Sequence, residues 1–543
     1  MNTQTSTAHE AWSTRVGLIL AMAGNAVGLG NLLRFPVQAA SNGGGSFMIP
    51  YFIALLLLGI PLMWIEWGLG RHAGQYRKGH VPGMFATIWR HPAAKYLGVV
   101  GMVIPIAVLV YYTYIESWTL AFAWFSLTRD YWGRETQEAM TQYLRSYQAI
   151  GDDSVHALWK PFAFFSLTLV LNIWILSKGI AGGIEKLARV GMPILFLLAV
   201  VLAITVLLLP PGPGGATPWQ GLEFIYRPDL SRLDEPSVWL AAAGQIFFTL
   251  SVGMGTLQTY ASYLSKRDDI ALSGVATAAT NETAEVVLGG TIAIPAAVTF
   301  FGVAGATAIA QSGAFNLGFA TMPVVFQQID RMVPVGNLLG FAWFGLLFFA
   351  GITSSVAMAT PVVAFFREEF GFRREPVAWS IGALALLFGL WHILWFEHGM
   401  LDEWDYWAGT FGLVLFAVIE TILFVWVFRP DNAWRSIHEG ADIRIVPLYK
   451  VIMTYVTPVY LVVLLAWWGV RDALPLLLLE NVPPERVPYV IVSRGVLVAF
   501  AVAALVLVRL AWRRNGYDDR IGFPLVGWRE SALPPESVAK AVV

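Results

Sequence analysis

Residues 24–36, with the sequence GNAVGLGNLLRFP, constrain the fold more than any other part of the chain. They lie within the apolar run 16–40, which is long enough to cross a bilayer as a helix. The segment nevertheless holds three glycines, two asparagines and an arginine. Glycine costs about 1 kcal/mol relative to alanine in a helix, and unwound backbone at membrane depth must be buried in protein or line a polar cavity. The segment therefore predicts a broken helix built around a small polar ligand.

The composition places the whole chain in the membrane. The protein has 543 residues, of which 57% are hydrophobic and 13% charged, with 23 tryptophans and no cysteine. This composition, with its many long apolar runs, is typical of a polytopic α-helical membrane protein. A net charge of -1 argues against nucleic-acid binding, and the lack of cysteine excludes disulfides and thiolate metal sites. Residues 1–10 are polar without a basic region, so we expect no cleavable signal peptide.

The apolar runs predict twelve membrane spans at about 20 residues per span. The predicted spans are 13–38, 43–70, 92–125, 162–178, 188–210, 237–265, 272–304, 334–367, 377–395, 398–428, 447–472 and 487–512. Lys and Arg cluster in the loops after spans 2, 4, 6, 8 and 10 and follow span 12, which predicts that both termini are cytoplasmic. Loop 211–236 is then external, and segment 305–333 is expected to form a re-entrant or helical hairpin cap.

A second interrupted apolar segment, FFTLSVGMG at residues 247–255, opens the second half of the first ten spans. Interruptions at matching positions of two halves are the best sequence indication of a transporter binding site. Because each half has five spans, the second half has the opposite orientation, and the repeat is inverted.

At these residues the chain resembles the neurotransmitter:sodium symporter family, and most closely its bacterial leucine transporter. The likeness runs from about residue 12 to span 12. It is carried by segments 24–36, 111–118, 244–263, 281–290, 351–355 and 402–410. It implies an all-α polytopic protein of the bacterial inner (plasma) membrane. The implied fold is a 5+5 inverted repeat with broken helices 1 and 6, followed by two extra helices.

The implied organisation has six parts, of which two are terminal segments. These are a cytoplasmic segment (1–11), the first repeat (12–210), an extracellular loop (211–236), the second repeat (237–428), spans 11 and 12 (429–512) and a cytoplasmic tail (513–543). The implied partners are an amino acid and the lipid bilayer. The oligomeric state stays open, with a homodimer as one candidate.

The resemblance also implies the binding residues of an amino-acid zwitterion, since broken helices offer free N–H groups to a carboxylate and free carbonyls to an ammonium. The implied substrate site comprises Asn25, Ala26, Leu29, Gly30, Val108, Tyr112, Phe248, Thr249, Ser251, Met254, Ser354 and Met358. Where the leucine transporter has phenylalanine and isoleucine, this chain has Met254 and Met358. Two flexible methionines in a pocket without a countercharge predict hydrophobic substrates, with larger or aromatic ones included.

Two sodium sites are implied, and no organic cofactor. The first comprises Ala26, Asn31, Thr249 and Asn281 together with the substrate carboxylate. The second comprises Gly24, Val27, Ala350, Thr353 and Ser354. Sodium is a hard cation that prefers oxygen ligands, which fits both sets. Taken alone, the hydroxyls of Thr353 and Ser354 are equally well explained by bonds to their own helix.

Glu285 is an acid at membrane depth, which suggests function. In the resembling family an acid at this position stands in for chloride, so we expect no chloride requirement. The gates implied by the family are Arg34 with Asp405 outside, and Trp12, Tyr263 and Glu368 inside. His9 falls where the family has the arginine partner of the inner gate, and Arg15 is an alternative. Three further intramembrane acids, Glu66, Glu116 and Glu420, suggest only structural pairing.

The sequence thus predicts a sodium-coupled, chloride-independent symporter that imports a hydrophobic amino acid by alternating access. A proton-coupled carrier is an alternative, although the implied ion ligands Asn31, Thr249 and Asn281 cannot titrate. A non-transporting amino-acid sensor of the same fold is another. The eight histidines show no metal-hydrolase spacing, so we expect no enzyme.

Overall fold

The architecture was determined from a computed structural model, which describes residues 12–151, 155–480 and 482–517. These residues form helices and loops, with no β-strand among them. Within them, ten helices are long and apolar enough to cross a membrane, and one bent pair makes an eleventh span. If the shorter interrupted helix that begins at Pro236 is counted as a further span, the total reaches the predicted twelve.

The main helices are labelled here in chain order. They are α1 (Arg15–Ala26), α2 (Gly30–Ser41), α3 (Gly45–Gly74), α4 (Ala93–Thr128), α5 (Ala157–Ser177), α6 (Ile180–Leu207), α7 (Pro236–Leu250), α8 (Thr256–Ala261), α9 (Ile270–Gln311), α10 (Gly336–Phe370), α11 (Arg374–Leu394), α12 (Met400–Val427), α13 (Leu448–Leu477) and α14 (Val487–Arg514). Shorter helices in the connections are Val81–Ile88, Gln137–Tyr147, Pro218–Tyr226, Met322–Met332 and Pro430–His438.

Two predicted boundaries differ clearly from the structure. α5 begins before its predicted start at 162 and contains Pro161 inside the helix, so this proline does not mark the helix start as the prediction assumed. α6 begins before its predicted start at 188. Its first residues, Ile180–Ile184, contain two glycines that suggest a loop but form a π-helical turn. The chain reverses just before this turn at Gly179, which has φ +88°.

Segment 305–333 is helical and caps one end of the bundle. α9 is interrupted at Gly302, which has φ +70°, and continues to Gln311. The helix Met322–Met332 then returns. Between them Gly318 packs so closely on Leu33 that a Cβ at Gly318 would lie 2.4 Å from the leucine side chain. The cap therefore covers α2, the second half of the first broken helix.

Close packing around the two breaks fixes their positions. α1 packs against α6, α9 and α10, and α10 follows α4 along most of its length. α8 lies directly on α3, where Cβ atoms at Gly70 and Gly74 would come within 2.1 and 2.0 Å of the carbonyl oxygens of Gln258 and Ser262. Small residues at helix contacts are the usual route to such close approach in membranes.

A buried polar cluster joins three distant parts of the chain at the end of the bundle that carries Trp12, called here the Trp12 face. Lys78 Nζ forms an ion pair with Glu369 and donates to Tyr517 Oη at 2.9 Å. His80 Nδ1 accepts from Gly83 N, so its Nε2–H donates to Glu369 Oε1 at 2.8 Å. Burial opposes the charged forms of Lys78 and His80. Burial lowers the pKa of His80. For Lys78, burial is outweighed by the neighbouring Glu369 carboxylate, which raises the pKa of the ammonium group.

We predict that Lys78→Met strongly destabilises the protein. The substitution leaves the fully buried Glu369 carboxylate without its cation, and breaking a buried pair from one side costs roughly 3–5 kcal/mol. Thermal unfolding in detergent measures the change. Lys450→Met is the matched control because its pair with Asp431 is 39% and 80% exposed, and such pairs contribute about 0–1 kcal/mol. Equal effects of the two substitutions would contradict the assignment.

Candidate functional site

The first break separates α1 from α2 and bends the helix by 51°. Val27 adopts an extended conformation with φ -72° and ψ 95°. The amide of Gly28 donates to Asn31 Oδ1 at 2.8 Å, and the amide of Leu29 donates to Tyr112 Oη at 3.1 Å. Side chains therefore accept two of the N–H groups that the break frees, and both amides lie in the protein interior.

The second break separates α7 from α8, and three of its residues have positive φ. These are Ser251 at +52°, Gly253 at +77° and Gly255 at +82°. A Cβ at Gly253 would lie 2.4 Å from the Leu413 carbonyl oxygen. Glycine is required here both by the backbone conformation and by this close approach.

The two breaks contact one another. Ser251 Oγ donates to the Asn25 carbonyl at 2.9 Å, and Asn25 Nδ2 donates to Thr256 Oγ1 at 3.2 Å. The buried Oδ1 of Asn25 has no hydrogen-bond partner within the described part of the chain. A buried amide oxygen without a donor is costly, so this atom is available to a bound cationic group.

The predicted residues of the first sodium site come together. Asn31 Nδ2 lies 2.8 Å from Thr249 Oγ1 and 2.8 Å from Asn281 Oδ1, and Asn281 Nδ2 lies 2.9 Å from Thr249 Oγ1. All three side chains are fully buried. Ala26, the last residue of α1, is also buried beside this break. The structure thus brings three neutral oxygen-bearing side chains from α2, α7 and α9 to one point.

The predicted residues of the second site meet between α1 and α10. Ser354 Oγ lies 3.3 Å from the Gly24 carbonyl oxygen, 3.1 Å from that of Asn25 and 3.2 Å from that of Ala350. Thr353 Oγ1 donates to carbonyls of its own helix, the nearest being Phe349 O at 2.9 Å. Ser354 therefore links two helices, whereas Thr353 alone follows the intrahelical pattern.

The donor chemistry of both clusters fits sodium. They offer neutral carbonyl, amide and hydroxyl oxygens, which suit a hard monovalent cation better than a transition metal. Among the described residues, no group of three or more His, Cys, Asp or Glu side chains could hold a metal ion.

The predicted side-chain pocket lies beside the breaks. α4 contributes Val108 and α10 contributes Met358, while Met254 lies in the second break, and all three are buried. Phe248 covers Gly30 so closely that a Cβ there would lie 2.4 Å from the phenylalanine ring. No charged side chain belongs to this set of buried residues.

Glu285 lies next to the first predicted sodium site. One carboxylate oxygen accepts from Thr249 Oγ1, and the other accepts from Tyr51 Oη at 2.9 Å and Gln245 Nε2 at 3.0 Å. Tyr51 Oη also lies 2.7 Å from a carboxylate oxygen of Glu282. Tyr51, Gln245 and Glu282 were not predicted as site residues. Gln245 lies one helical turn before Thr249, and Glu282 directly follows Asn281. These positions could have indicated that both residues belong to the site.

The predicted outer gate is present with an additional member. The Arg34 guanidinium lies over the Phe248 ring, 4.6 Å from its centroid. Asp405 accepts a hydrogen bond from Tyr111 Oη at 2.8 Å. Arg34 interacts electrostatically with both Asp405 and Tyr111. Tyr111, which was not predicted, therefore joins the two predicted charges in one interacting group.

The residues predicted for the inner gate have several contacts in the structure. Trp12 Nε1 donates to the Tyr260 carbonyl at 3.1 Å, and its ring meets the edge of the Tyr260 ring. Tyr263 is partly buried against the same core. Glu368 accepts the amide of Gly79 at 2.8 Å. His9 lies outside the described residues.

A second anchor, which the sequence did not indicate, holds the start of α1. Glu185, at the start of α6, accepts the Ser13 amide at 2.9 Å, the Ser13 hydroxyl at 2.6 Å and the Thr14 hydroxyl at 3.2 Å. Arg15 separately pairs with Asp442 at 3.0 Å. The π-helical turn that precedes Glu185 was predicted as a loop, so its side chain could not be placed from the sequence.

We predict that Glu185→Gln releases the start of α1. The charge-assisted hydrogen bonds become neutral ones, which are about half as strong. Because the chain has no cysteine, a single Leu18→Cys substitution reports the change, since Leu18 is 3% exposed. Labelling by a water-soluble maleimide should accelerate about tenfold, which corresponds to roughly 1.4 kcal/mol.

Glu223→Gln in the same Leu18→Cys background is the control for this measurement. Glu223 pairs only with Arg227 at an exposed site, so the labelling rate should not change. An unchanged rate in Glu185→Gln would show that Glu185 does not hold the start of α1.

Comparison with known proteins agrees with this arrangement. The profile described as Sodium:neurotransmitter symporter family matches residues 9–142 and 129–511. The crystal structure of MhsT in complex with L-phenylalanine has 29% sequence identity and a TM-score of 0.72, and the match covers 84% of this chain and 99% of MhsT.

Curated relatives lead to the same family. An uncharacterised sodium-dependent transporter of Methanocaldococcus jannaschii is 30% identical over 460 residues, which cover 83% of this chain and 89% of the relative. The human sodium- and chloride-dependent GABA transporter 2 is 27% identical over 488 residues, which cover 82% and 78%. The chain therefore belongs to the sodium:neurotransmitter symporter family and has the broken-helix fold predicted from its sequence.

Proposed function

We propose that this protein is a sodium-coupled symporter that imports a hydrophobic amino acid, aromatic ones included, with two sodium ions and without chloride. The observation that carries the proposal is the meeting of both helix breaks with the cluster of Asn31, Thr249 and Asn281. A zwitterion and a cation need this combination of free backbone groups and neutral oxygens at membrane depth.

The amino-acid backbone would bind between the breaks. Its carboxylate would meet the amides of Leu29 and Gly30 and the hydroxyl of Tyr112, which already accepts the Leu29 amide. Its ammonium would meet the carbonyls of Ala26, Phe248 and Thr249 and the hydroxyl of Ser251. The side chain would lie against Val108, Met254 and Met358. Methionines adapt to differently shaped ligands, and the phenylalanine bound to MhsT supports an aromatic substrate.

Coupling would follow from a shared ligand. If the substrate carboxylate completes the first sodium site, then each occupant strengthens the binding of the other, and the effect is reciprocal. Each sodium ion contributes about 2.3 kcal/mol per 100 mV and roughly 1.4 kcal/mol per tenfold gradient. Two ions would supply about 7 kcal/mol, enough for a roughly 10⁵-fold gradient of a neutral zwitterion.

Transport direction follows from the predicted orientation. The Trp12 face would be cytoplasmic, and the side that carries Arg34 and Asp405 would be external. Trp12 with Tyr260, the Glu185 anchor and the Glu368 contact would then close the cytoplasmic pathway, while Phe248 and Arg34 would close the external one. Alternating access would require these two sets of contacts to open in turn.

We predict that labelled leucine and tryptophan bind the purified protein in sodium buffer and not in potassium buffer. Asn281→Ala should weaken the apparent sodium affinity at least tenfold, because it removes one oxygen ligand and one of the hydrogen-bond partners that hold Asn31. Asn432→Ala is the matched control, since the bond that its side-chain amide makes among the described residues is to the Phe428 carbonyl just after α12. Equal binding in both buffers would contradict sodium coupling, and an unchanged sodium affinity would remove Asn281 from the site.

We predict that Glu285→Ser makes binding depend on chloride. The substitution removes a fixed negative charge while Tyr51, Gln245 and Thr249 remain as donors for an anion. Binding in chloride should exceed binding in gluconate about tenfold in the variant and should be equal in the wild type. Glu282→Ser is the control, because Glu282 shares Tyr51 but is not bonded to Thr249. A variant indifferent to chloride would contradict the role of Glu285.

A further inference from the structure

Two carboxyl groups outside the predicted sites face one another inside the bundle. Glu66 on α3 and Glu420 on α12 are both fully buried. Each has one oxygen with an N–H donor. Glu66 Oε1 accepts the Gly253 amide at 2.5 Å, and Glu420 Oε2 accepts Gln258 Nε2. Acids at membrane depth suggest function by default, and neither group takes part in the proposed sodium or substrate contacts.

The remaining oxygens of this pair require a proton. Glu66 Oε2 and Glu420 Oε1 have no donor among the described residues, and the two carboxyl groups lie close enough to interact directly. Ionised carboxylates can only accept hydrogen bonds, and two neighbouring buried like charges repel strongly. Both difficulties disappear if one proton lies between the two groups, so that the pair carries a single negative charge.

Other charged groups do not neutralise the pair. Within the described chain, the electrostatic interactions of Glu66 and Glu420 are with each other, and their remaining contacts are the Gly253 amide and the neutral Gln258 amide. Arg71, further along α3, is already bound to the carbonyls of Asp268, Ser436 and Glu439. The pair is surrounded by α3, α8, α12 and the break before α8. These elements provide no cation to offset its charge, so a bound proton must do so.

The pair is joined directly to the break that would bind the amino acid. Gly253 lies between Ser251 and Met254, and its amide is free to reach Glu66 because α7 is unwound there. Gln258, on α8, holds the other carboxyl group. Both N–H donors that stabilise the singly charged pair thus belong to the α7–α8 region, whereas the acids belong to α3 and α12.

We propose that Glu66 and Glu420 form a proton-binding site that is linked to amino-acid binding through Gly253 and Gln258. When the break docks, its N–H donors favour the singly charged pair. When the break withdraws, the pair loses these donors and takes a second proton from water. Docking returns that proton to water, so no redox partner is needed. This inference rests on the proposed function, because it takes the α7–α8 break as the substrate-binding element.

The sign of the linkage follows. If amino-acid binding stabilises the docked break, binding releases a proton, and the affinity rises with pH. The limit is tenfold per pH unit for one proton. The number of protons released on binding at a given pH must equal the slope of the logarithm of the affinity against pH, because the linkage is reciprocal.

Calorimetry of L-phenylalanine binding in saturating sodium tests the linkage. Titrations in buffers of different ionisation enthalpy, from about pH 5 to about pH 9, give the number of protons released. We expect a substantial fraction of one proton in the wild type and less than about a tenth in Glu66→Gln and Glu420→Gln, whose amides replace the shared proton permanently. Glu116→Gln is the matched control, because Asn172 already donates to both oxygens of Glu116. It should release as many protons as the wild type.

Infrared spectroscopy of the ligand-free protein tests the proton itself. A band of a protonated carboxyl group should be present in the wild type and in Glu116→Gln, and should be lost in both variants of the pair. Absence of this band, zero proton release by the wild type at every pH, or unchanged release by both Gln variants would overturn the proposal. If phenylalanine bound equally well with and without sodium, the proposed function would be wrong. The infrared measurement would still show whether Glu66 and Glu420 hold a proton.

Discussion

The need to satisfy unwound backbone in the absence of water determines much of this structure. Each break leaves N–H and C=O groups that lipid cannot bind, and the chain supplies partners from other helices. Tyr112 on α4 and Asn31 on α2 hold the amides of the first break, while Ser251 crosses from the second break to the first. Side chains from neighbouring helices therefore satisfy backbone groups that a continuous helix would bond internally.

The same constraint explains which parts of the fold could be predicted from the sequence. Glycine and asparagine in the middle of an apolar run conflict with a plain membrane helix, so both breaks were located correctly. The family resemblance then provided the site residues, and the structure brings Asn31, Thr249 and Asn281 within hydrogen-bond distance. The breaks could be located because the local sequence conflicts with its apolar surroundings, whereas the site residues came from the resemblance.

Some contacts depend on which faces of two helices, distant in sequence, are turned toward each other, and these contacts could not be predicted. The role of Glu185 as an anchor depends on the π-helical turn that rotates the start of α6 toward Ser13. Trp12 contacts Tyr260, a residue that the sequence did not single out. The sequence shows near which end of a helix a residue lies. Which residues at that end contact one another depends on tertiary packing.

The cluster of Lys78, His80 and Glu369 has a consequence for the end of the chain. Asn515 donates to the Glu369 carboxylate at 2.7 Å, and Tyr517 accepts from Lys78. The last helix is thus tied through buried polar contacts to the loop after α3 and to the end of α10. The two helices that follow the inverted repeat are therefore not a removable appendage. Cutting the chain before residue 515 would uncover a buried ion pair, and the damage would appear at the opposite end of the sequence.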